Sequence, residues 1–126
     1  MPRRILVVDD EDHIREVAQV SLEMVGGFEV LTASSGAECL ERATADHPDA
    51  ILLDVMMPGM DGPTVVEHLR ADGGTRHIPV ILLTAKVHST DRRQLAGLDV
   101  TGIIAKPFDP MSLPEEVARV LGWETA

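Results

Sequence analysis

The sequence predicts an α/β fold in which a parallel sheet of five strands has helices on both faces. Short continuous apolar runs recur along the chain, as expected of strands that are buried on both sides. Segments with apolar residues at helical spacing separate these runs. Because strands that alternate with helices pair in parallel, the two observations favour one covered sheet. A chain of 126 residues suits a single domain, which we expect to span residues 1–126.

The first two strand–helix units have clear boundaries. The first strand covers residues 5–8, and the helix after it ends at Gly26-Gly27, because glycine is common where helices stop. The second strand covers residues 28–33, and Ser35-Gly36 opens the second helix. The positions expected to face the core are Ile14, Val17, Ala18, Ser21, Leu22 and Val25 in the first helix and Ala37, Leu40 and Ala43 in the second.

The third unit contains a loop that is rich in turn residues. Its strand covers residues 50–53 and ends at Asp54. Pro58-Gly59 and Asp61-Gly62 mark the loop, and Pro63 suits the first turn of the third helix. The inward-facing positions of that helix are Val65, Val66 and Leu69.

The last two units are less sharply bounded at their helices. Their strands cover residues 79–83 and 102–105. Ser89 or Thr90 suits the N-cap of the fourth helix, with Leu95 and Leu98 as its apolar contacts. The start of the fifth helix stays open, because Pro110 suits a first turn and Ser112 fits a capping box.

Composition excludes several classes of function. The chain has 11 basic and 21 acidic residues and a formal net charge of −10, so it repels phosphate backbones and anionic membrane surfaces. The single cysteine, Cys39, excludes an internal disulfide and a paired-cysteine zinc site. The apolar runs are too short to span a bilayer. We therefore expect a cytoplasmic protein with no direct nucleic-acid or membrane partner.

Side chains capable of chemistry follow four of the five predicted strands. Asp9-Asp10 follows the first strand, Asp54 the third, Thr84 the fourth and Lys106 the fifth. In open parallel sheets, functional sites lie beyond the carboxyl ends of the strands. The sequence therefore predicts that three carboxylates, a hydroxyl and an ammonium group lie at one edge.

Each of these residues also has an ordinary structural interpretation. A single aspartate after a strand is commonly a helix cap, so Asp10 or Asp12 alone would suggest a cap of the first helix. Thr84 alone would be a strand-end hydroxyl, and Lys106 alone a surface charge. Their coincidence at one sheet edge favours a site.

The predicted cluster has the chemistry of a magnesium-dependent phosphoryl site. Adjacent carboxylates raise each other's pKa, and a hard divalent cation with oxygen ligands relieves that repulsion. An aspartate beside such an ion can act as a nucleophile and form an acyl phosphate. Lys106 would neutralise charge and Thr84 would donate to a phosphoryl oxygen.

Four stretches of the chain resemble the receiver domain of two-component response regulators. They are residues 5–11 (ILVVDDE), 53–62 (LDVMMPGMDG), 83–85 (LTA) and 106–108 (KPF). The resemblance covers residues 4–122 and implies the flavodoxin-like doubly wound fold, with strand order 2-1-3-4-5. It implies a phosphorylation-activated signalling switch, and no enzymatic activity beyond its own magnesium-dependent phosphorylation and dephosphorylation.

The resemblance implies a role for each residue of the cluster. Asp54 is the phosphoacceptor, Thr84 the switch hydroxyl, and Lys106 the charge partner of the phosphoryl group, with a cis bond to Pro107. The implied Mg²⁺ ligands are the carboxylates of Asp9, Asp10 and Asp54 and the backbone carbonyl of Met56. The family often has an aromatic residue three positions before the lysine, where this chain has Ile103.

The resemblance also implies two kinds of protein partner. One is a sensor histidine kinase or a phosphotransfer protein, and the other is an unknown downstream protein. The second is expected on the surface formed by the fourth helix, the fifth strand and the fifth helix. We expect a stand-alone protein like the chemotaxis regulators, and the alternative of a receiver from a larger regulator stays open.

Three other functions are weighed against this interpretation. An aspartyl-phosphate hydrolase similar to the haloacid dehalogenases needs a second Asp two residues after the nucleophile, where this chain has Met56. A flavodoxin-like cofactor binder needs a phosphate loop, and the acidic run 9–12 repels anions. A degenerate receiver that only binds partners is disfavoured by the intact Asp54, Thr84 and Lys106.

The remaining polar and aromatic residues are interpreted as structural. Cys39 is a small packing residue of the second helix, and Trp123 either covers the end of the fifth helix or marks a docking patch. The histidines lack paired metal spacing and are expected at the surface. They are His13, His47, His68, His77 and His88.

Overall fold

The computed structural model describes residues 2–85 and 97–123. The strands in these ranges are β1 (Arg4–Val8), β2 (Glu29–Ala33), β3 (Ala50–Asp54), β4 (Val80–Thr84) and β5 (Gly102–Ala105). The helices are α1 (Asp12–Val20), α2 (Gly36–Asp46), α3 (Gly62–Ala71) and α4 (Leu113–Leu121). The predicted fourth helix, with Ser89, Thr90 and Leu95, lies outside the described residues, so α4 is the helix predicted as the fifth.

The strands form one parallel sheet in the order β2-β1-β3-β4-β5, which confirms the flavodoxin-like doubly wound fold. Alternate residues of each strand point to opposite faces of the sheet. One face packs against α2 and α3 through Leu6, Val8, Ile51, Leu53, Val80 and Leu82. The other packs against α1 and α4 through Ile5, Val7, Leu52, Ile81, Leu83 and Ile104. The central strands are thus buried on both sides.

The predicted helix starts are confirmed for α2 and α3. Ser35 Oγ accepts a hydrogen bond from the Glu38 backbone N–H at 3.1 Å, which caps α2. Asp61 Oδ1 accepts one from the Thr64 N–H at 2.9 Å, and Pro63 lies in the first turn of α3. At α4, Ser112 is the N-cap residue but makes no side-chain cap bond.

Two predicted core positions are wrong. Val25 is 48% exposed, because α1 continues into a π-helical turn, Ser21–Val25, whose wider winding moves its last residue off the core face. Ala37 is also exposed. In α2 the face toward α3 is formed by Gly36, Cys39 and Ala43, since a Cβ at Gly36 would lie 2.8 Å from Val65 Cγ2.

The structural interpretation holds for the remaining residues that the structure describes. Burial raises the pKa of Cys39 to about 12, so the thiol is a packing group. The histidines at 13, 47, 68 and 77 are exposed, and His88 lies outside the described residues. Trp123 packs against Phe28, with ring centroids 5.8 Å apart, and Arg3 lies over its ring. None of the described helices is long and apolar enough to cross a membrane.

Candidate functional site

Asp9 follows β1 directly and is fully buried. Its backbone N–H extends the strand pairing by donating to the Ala33 carbonyl at 3.2 Å. Its Oδ1 accepts a hydrogen bond from the Glu11 N–H at 2.9 Å, so the chain turns into α1 immediately after the strand. Asp10 is exposed, and neither Asp10 nor Asp12 caps α1, because the N-cap residue is Glu11. The interpretation of Asp10 or Asp12 as the cap of the first helix is therefore wrong.

Asp54 is the last residue of β3 and is 3% exposed. β3 lies between β1 and β4 in the sheet, so Asp54 is flanked by the ends of both neighbours. The Met56 backbone N–H donates to its Oδ1 at 3.3 Å, and Val55 N–H donates to the Leu83 carbonyl at 3.0 Å. The carboxylate thus stands at the point where the chain leaves the sheet.

Lys106 follows β5 and reaches back across the edge to both buried carboxylates. Its Nζ lies 2.8 Å from Asp9 Oδ2 and 3.1 Å from Asp54 Oδ1. Its backbone N–H donates to the Thr84 carbonyl at 2.9 Å, and its bond to Pro107 is cis, as the resemblance implies. Thr84 is the last residue of β4 and is 2% exposed.

Burial and like charge shape the electrostatics of this edge. Burial, followed by repulsion from Asp9, raises the pKa of Asp54 to about 6, against the lowering effect of Lys106 and the Met56 N–H. Burial alone would lower the pKa of Lys106, but its contacts with Asp9 and then Asp54 outweigh burial and raise that pKa. Lys106 therefore stays protonated, whereas Asp54 titrates close to neutral pH.

The acidic residues of this edge suit a hard cation. Carboxylate oxygens of Asp9, Asp10 and Asp54 lie within 4.8 Å of one another. Among the described residues, Asp9 Oδ2 is a buried oxygen that accepts no hydrogen bond of normal geometry, although it forms the ion pair with Lys106. Three carboxylates against one ammonium leave excess negative charge, and an all-oxygen donor set is the kind that Mg²⁺ prefers. The residues present fit this ion.

Gly62 holds the loop after β3 against the strand end. Its N–H donates to the Val55 carbonyl at 3.0 Å. A Cβ at this position would lie 2.9 Å from the Asp54 carbonyl oxygen and 2.9 Å from Val55 Cα, and backbone atoms have little room to move. The close approach therefore requires glycine.

Gly62→Ala is expected to lower the free energy of unfolding by about 1–2 kcal/mol, as overpacking does, and to shift the Asp54 backbone. Chemical denaturation measures the first effect, and amide shifts of residues 54–56 measure the second. Gly73→Ala is the matched control, because nothing lies within 4 Å of the Cβ it would add. Equal effects of the two variants would contradict the role assigned to Gly62.

The structure brings the predicted side chains of Asp9, Asp10, Asp54 and Lys106 together at one edge, with Thr84 at the end of the neighbouring strand β4. It also shows a contact that the sequence argument missed. Arg15, on α1, donates through Nη1 to the backbone carbonyl of Asp9 at 2.8 Å. The sequence signal was slight, since an arginine near the start of an amphipathic helix is ordinarily a surface charge.

A family model described as the response regulator receiver domain matches residues 5–118. The Response regulator PleD of Caulobacter vibrioides is 47% identical over 115 residues, which cover 90% of this chain and 25% of that protein. The alkaline phosphatase synthesis transcriptional regulatory protein PhoP of Bacillus subtilis is 39% identical over 121 residues, 96% of this chain and 49% of that protein. The chain thus spans half or less of the length of these curated relatives.

Solved structures give the same result. The chemotaxis protein CheY4 of Vibrio cholerae matches with a TM-score of 0.88 and 32% identity, over 95% of this chain and 99% of that one. The N-terminal domain of a response regulator receiver protein from Methanoculleus marisnigri matches with a TM-score of 0.76 and 41% identity, over 96% and 98%. The likeness extends over nearly the whole described fold.

Proposed function

Since this chain belongs to the receiver-domain family of two-component response regulators, we propose that it is a switch in which Asp54 accepts a phosphoryl group. Receiver domains are signalling switches and not classical enzymes. The observation that carries the proposal is the buried Asp54 carboxylate, 3.1 Å from Lys106 Nζ and beside two further carboxylates at the sheet edge. The donor is the phosphohistidine of a sensor histidine kinase or of a phosphotransfer protein.

The transfer is a single displacement at phosphorus. A carboxylate oxygen of Asp54 forms the new P–O bond while the P–N bond of the phosphohistidine breaks. The electron pair of that bond returns to the imidazole, which takes up a proton from solvent. Asp54 must be ionised to attack, and a pKa of about 6 leaves it mostly ionised at pH 7. Positioning and charge neutralisation supply most of the rate in this class of reaction.

Mg²⁺ would be held by the carboxylates of Asp9, Asp10 and Asp54 and by the backbone carbonyl of Met56, and would offset the charge of the phosphoryl oxygens. Lys106 neutralises the remaining charge, because its ammonium already lies within 3.1 Å of Asp54. Thr84 donates a hydrogen bond from its hydroxyl to a phosphoryl oxygen. Because Thr84 is the last residue of β4, this bond couples phosphorylation to the end of that strand. Near-complete burial of Asp9, Asp54 and Thr84 limits the access of bulk water to the acceptor carboxylate.

The signal passes to protein partners through a surface with three parts. They are β5, α4 (Leu113–Leu121) and the helix predicted from the sequence as the fourth, which lies outside the described residues. Phosphorylation shifts the population of this surface and so changes the affinity for a downstream protein. The half-buried Ile103 of β5 packs against the core there, at a position where the family often has an aromatic ring. The switch therefore works with an aliphatic side chain. We place its action in the cytoplasm, without direct contact to nucleic acid or membrane.

The test is labelling with acetyl phosphate and MgCl₂, followed by intact-mass measurement. Wild-type protein should gain one phosphoryl group, and Asp54→Asn should gain none. EDTA should abolish labelling of the wild type. Folded wild-type protein that stays unlabelled in magnesium would instead indicate a receiver that only binds partners, and labelling that persists in EDTA would remove the role assigned to Asp9 and Asp10.

A further inference from the structure

Arg15 connects α1 to the acidic turn after β1. Its Nη1 donates to the Asp9 carbonyl at 2.8 Å, and its Nη2 pairs with Oδ1 of Asp12 one turn earlier on the helix. The side chain of Arg15 is only 20% exposed, whereas that of its partner Asp12 is 89% exposed. We propose that Arg15 is a positioning residue for the magnesium site, an inference that rests on the function proposed above.

Three hydrogen bonds hold Asp9 at the start of the turn, two through its backbone and one through its side chain. Its N–H donates to Ala33 and its Oδ1 accepts from the Glu11 N–H, and both of these bonds use main-chain partners. The third bond, from Arg15 to the Asp9 carbonyl, comes from a side chain. That carbonyl belongs to the peptide unit that joins Asp9 to Asp10. The peptide plane contains the Cα atoms that carry the Asp9 and Asp10 side chains. The hydrogen bond to the carbonyl oxygen therefore fixes the orientation of this plane and of both carboxylates.

The charge of Arg15 and its positioning role have opposite effects on a divalent cation. A guanidinium bonded to the Asp9 carbonyl repels a cation held by the Asp9 carboxylate, so loss of its charge alone would strengthen Mg²⁺ binding. Loss of the hydrogen bond to the Asp9 carbonyl frees the peptide unit and makes binding weaker, because partners that orient metal ligands contribute about ten- to hundredfold in affinity. The direction of the change therefore separates the two roles.

The experiment measures the Mg²⁺ dissociation constant by isothermal titration calorimetry for the wild type, Arg15→Met and Arg42→Met. Arg42 is a matched control, because it lies on α2 and pairs only loosely with Asp46, at 3.8 Å. Arg15→Met should bind Mg²⁺ about tenfold more weakly than the wild type. Arg42→Met should bind it as the wild type does. Denaturation in EDTA provides the second readout, since a purely structural role would lower stability and leave the affinity of the folded protein unchanged.

Arg15→Met that binds Mg²⁺ as tightly as the wild type, or more tightly, would overturn the inference while leaving the proposed function intact. Wild-type protein that binds no Mg²⁺ would overturn both. If Arg15→Met does not fold, Arg15→Lys decides the question, because lysine keeps the charge but lacks the rigid fork whose two nitrogens bond the Asp9 carbonyl and Asp12. If Arg15→Lys binds Mg²⁺ severalfold more weakly than the wild type, the positioning role is supported. If its affinity for Mg²⁺ is unchanged, the role is rejected.

Discussion

Lys106→Met is expected to lower the free energy of unfolding by about 2–3 kcal/mol at pH 7 in the absence of magnesium. Methionine keeps the length of the side chain but removes the ammonium that lies within 3.1 Å of both Asp9 and Asp54. Removing one partner of a buried ion pair commonly costs about 3–5 kcal/mol. The expected cost is smaller here because Lys106 is 13% exposed and Asp54 can relieve the repulsion by taking up a proton.

Urea denaturation in EDTA measures this loss. The loss should shrink at pH 5, where Asp54 is largely protonated. It should also shrink at pH 7 when MgCl₂ is added, because the variant lacks the ammonium that competes with the cation and so gains more stability from binding it. Lys106→Arg keeps the charge and should retain most of the stability. A Lys106→Met protein as stable as the wild type at pH 7 in EDTA would show that the ammonium does not offset the buried carboxylates.

Asp54→Asn is expected to raise the free energy of unfolding by about 1–2 kcal/mol at pH 7 without metal, while abolishing phosphoryl labelling. The folded-state pKa of Asp54 is about 6, above its ordinary value of 3.8. The folded protein therefore holds this proton more tightly than the unfolded chain. Stability that is present below pH 4 is lost as the pH rises toward 6 and above, because the buried carboxylate becomes charged. Asparagine removes that penalty, and the gain stays below the about 3 kcal/mol that two pH units represent, because the buried amide itself loses contact with water.

Denaturation of the wild type and of Asp54→Asn at pH 7 and pH 4 in EDTA measures the sign of this stability change. The stability difference between Asp54→Asn and wild type should be positive at pH 7 and close to zero at pH 4. Asp61→Asn is a control at the start of α3, since asparagine caps helices about as well as aspartate. A variant that is less stable than the wild type at pH 7 would mean that attraction to Lys106 outweighs burial and the repulsion from Asp9. Saturating magnesium should stabilise the wild type more than Asp54→Asn, because the wild type keeps all three carboxylates.

The parts of the fold that depend on apolar periodicity were predictable from the sequence. The central strands were predictable because each is an apolar run buried on both faces, and α3 was predictable because Pro63 marks its first turn. The π-helical turn at Ser21–Val25 was not, since its residues fit an ordinary helical pattern equally well. A change in winding depends on packing against α4 and the loop before it, where Ser21 Oγ bonds to the Pro110 carbonyl.

The same distinction applies to the candidate site. Carboxyl-end positions of parallel strands predicted that Asp9, Asp54 and Lys106 would meet, and they do. The sequence could not show that one ammonium contacts both carboxylates, because that depends on side-chain geometry at atomic distances. It also could not show the contact of Arg15, which reaches a backbone carbonyl and so leaves no residue pattern.

The four strand ends that carry the site are far apart along the chain. Asp9 and Asp54 lie in its first half, and Lys106 follows β5, the last strand within residues 2–85 and 97–123. A nascent chain still attached to the ribosome therefore carries the proposed acceptor, Asp54, long before it carries Lys106. Peptide fragments that end before residue 106 should likewise be inert toward a phosphodonor. Under the proposed function, labelling therefore requires the chain to be present and folded at least through residue 106.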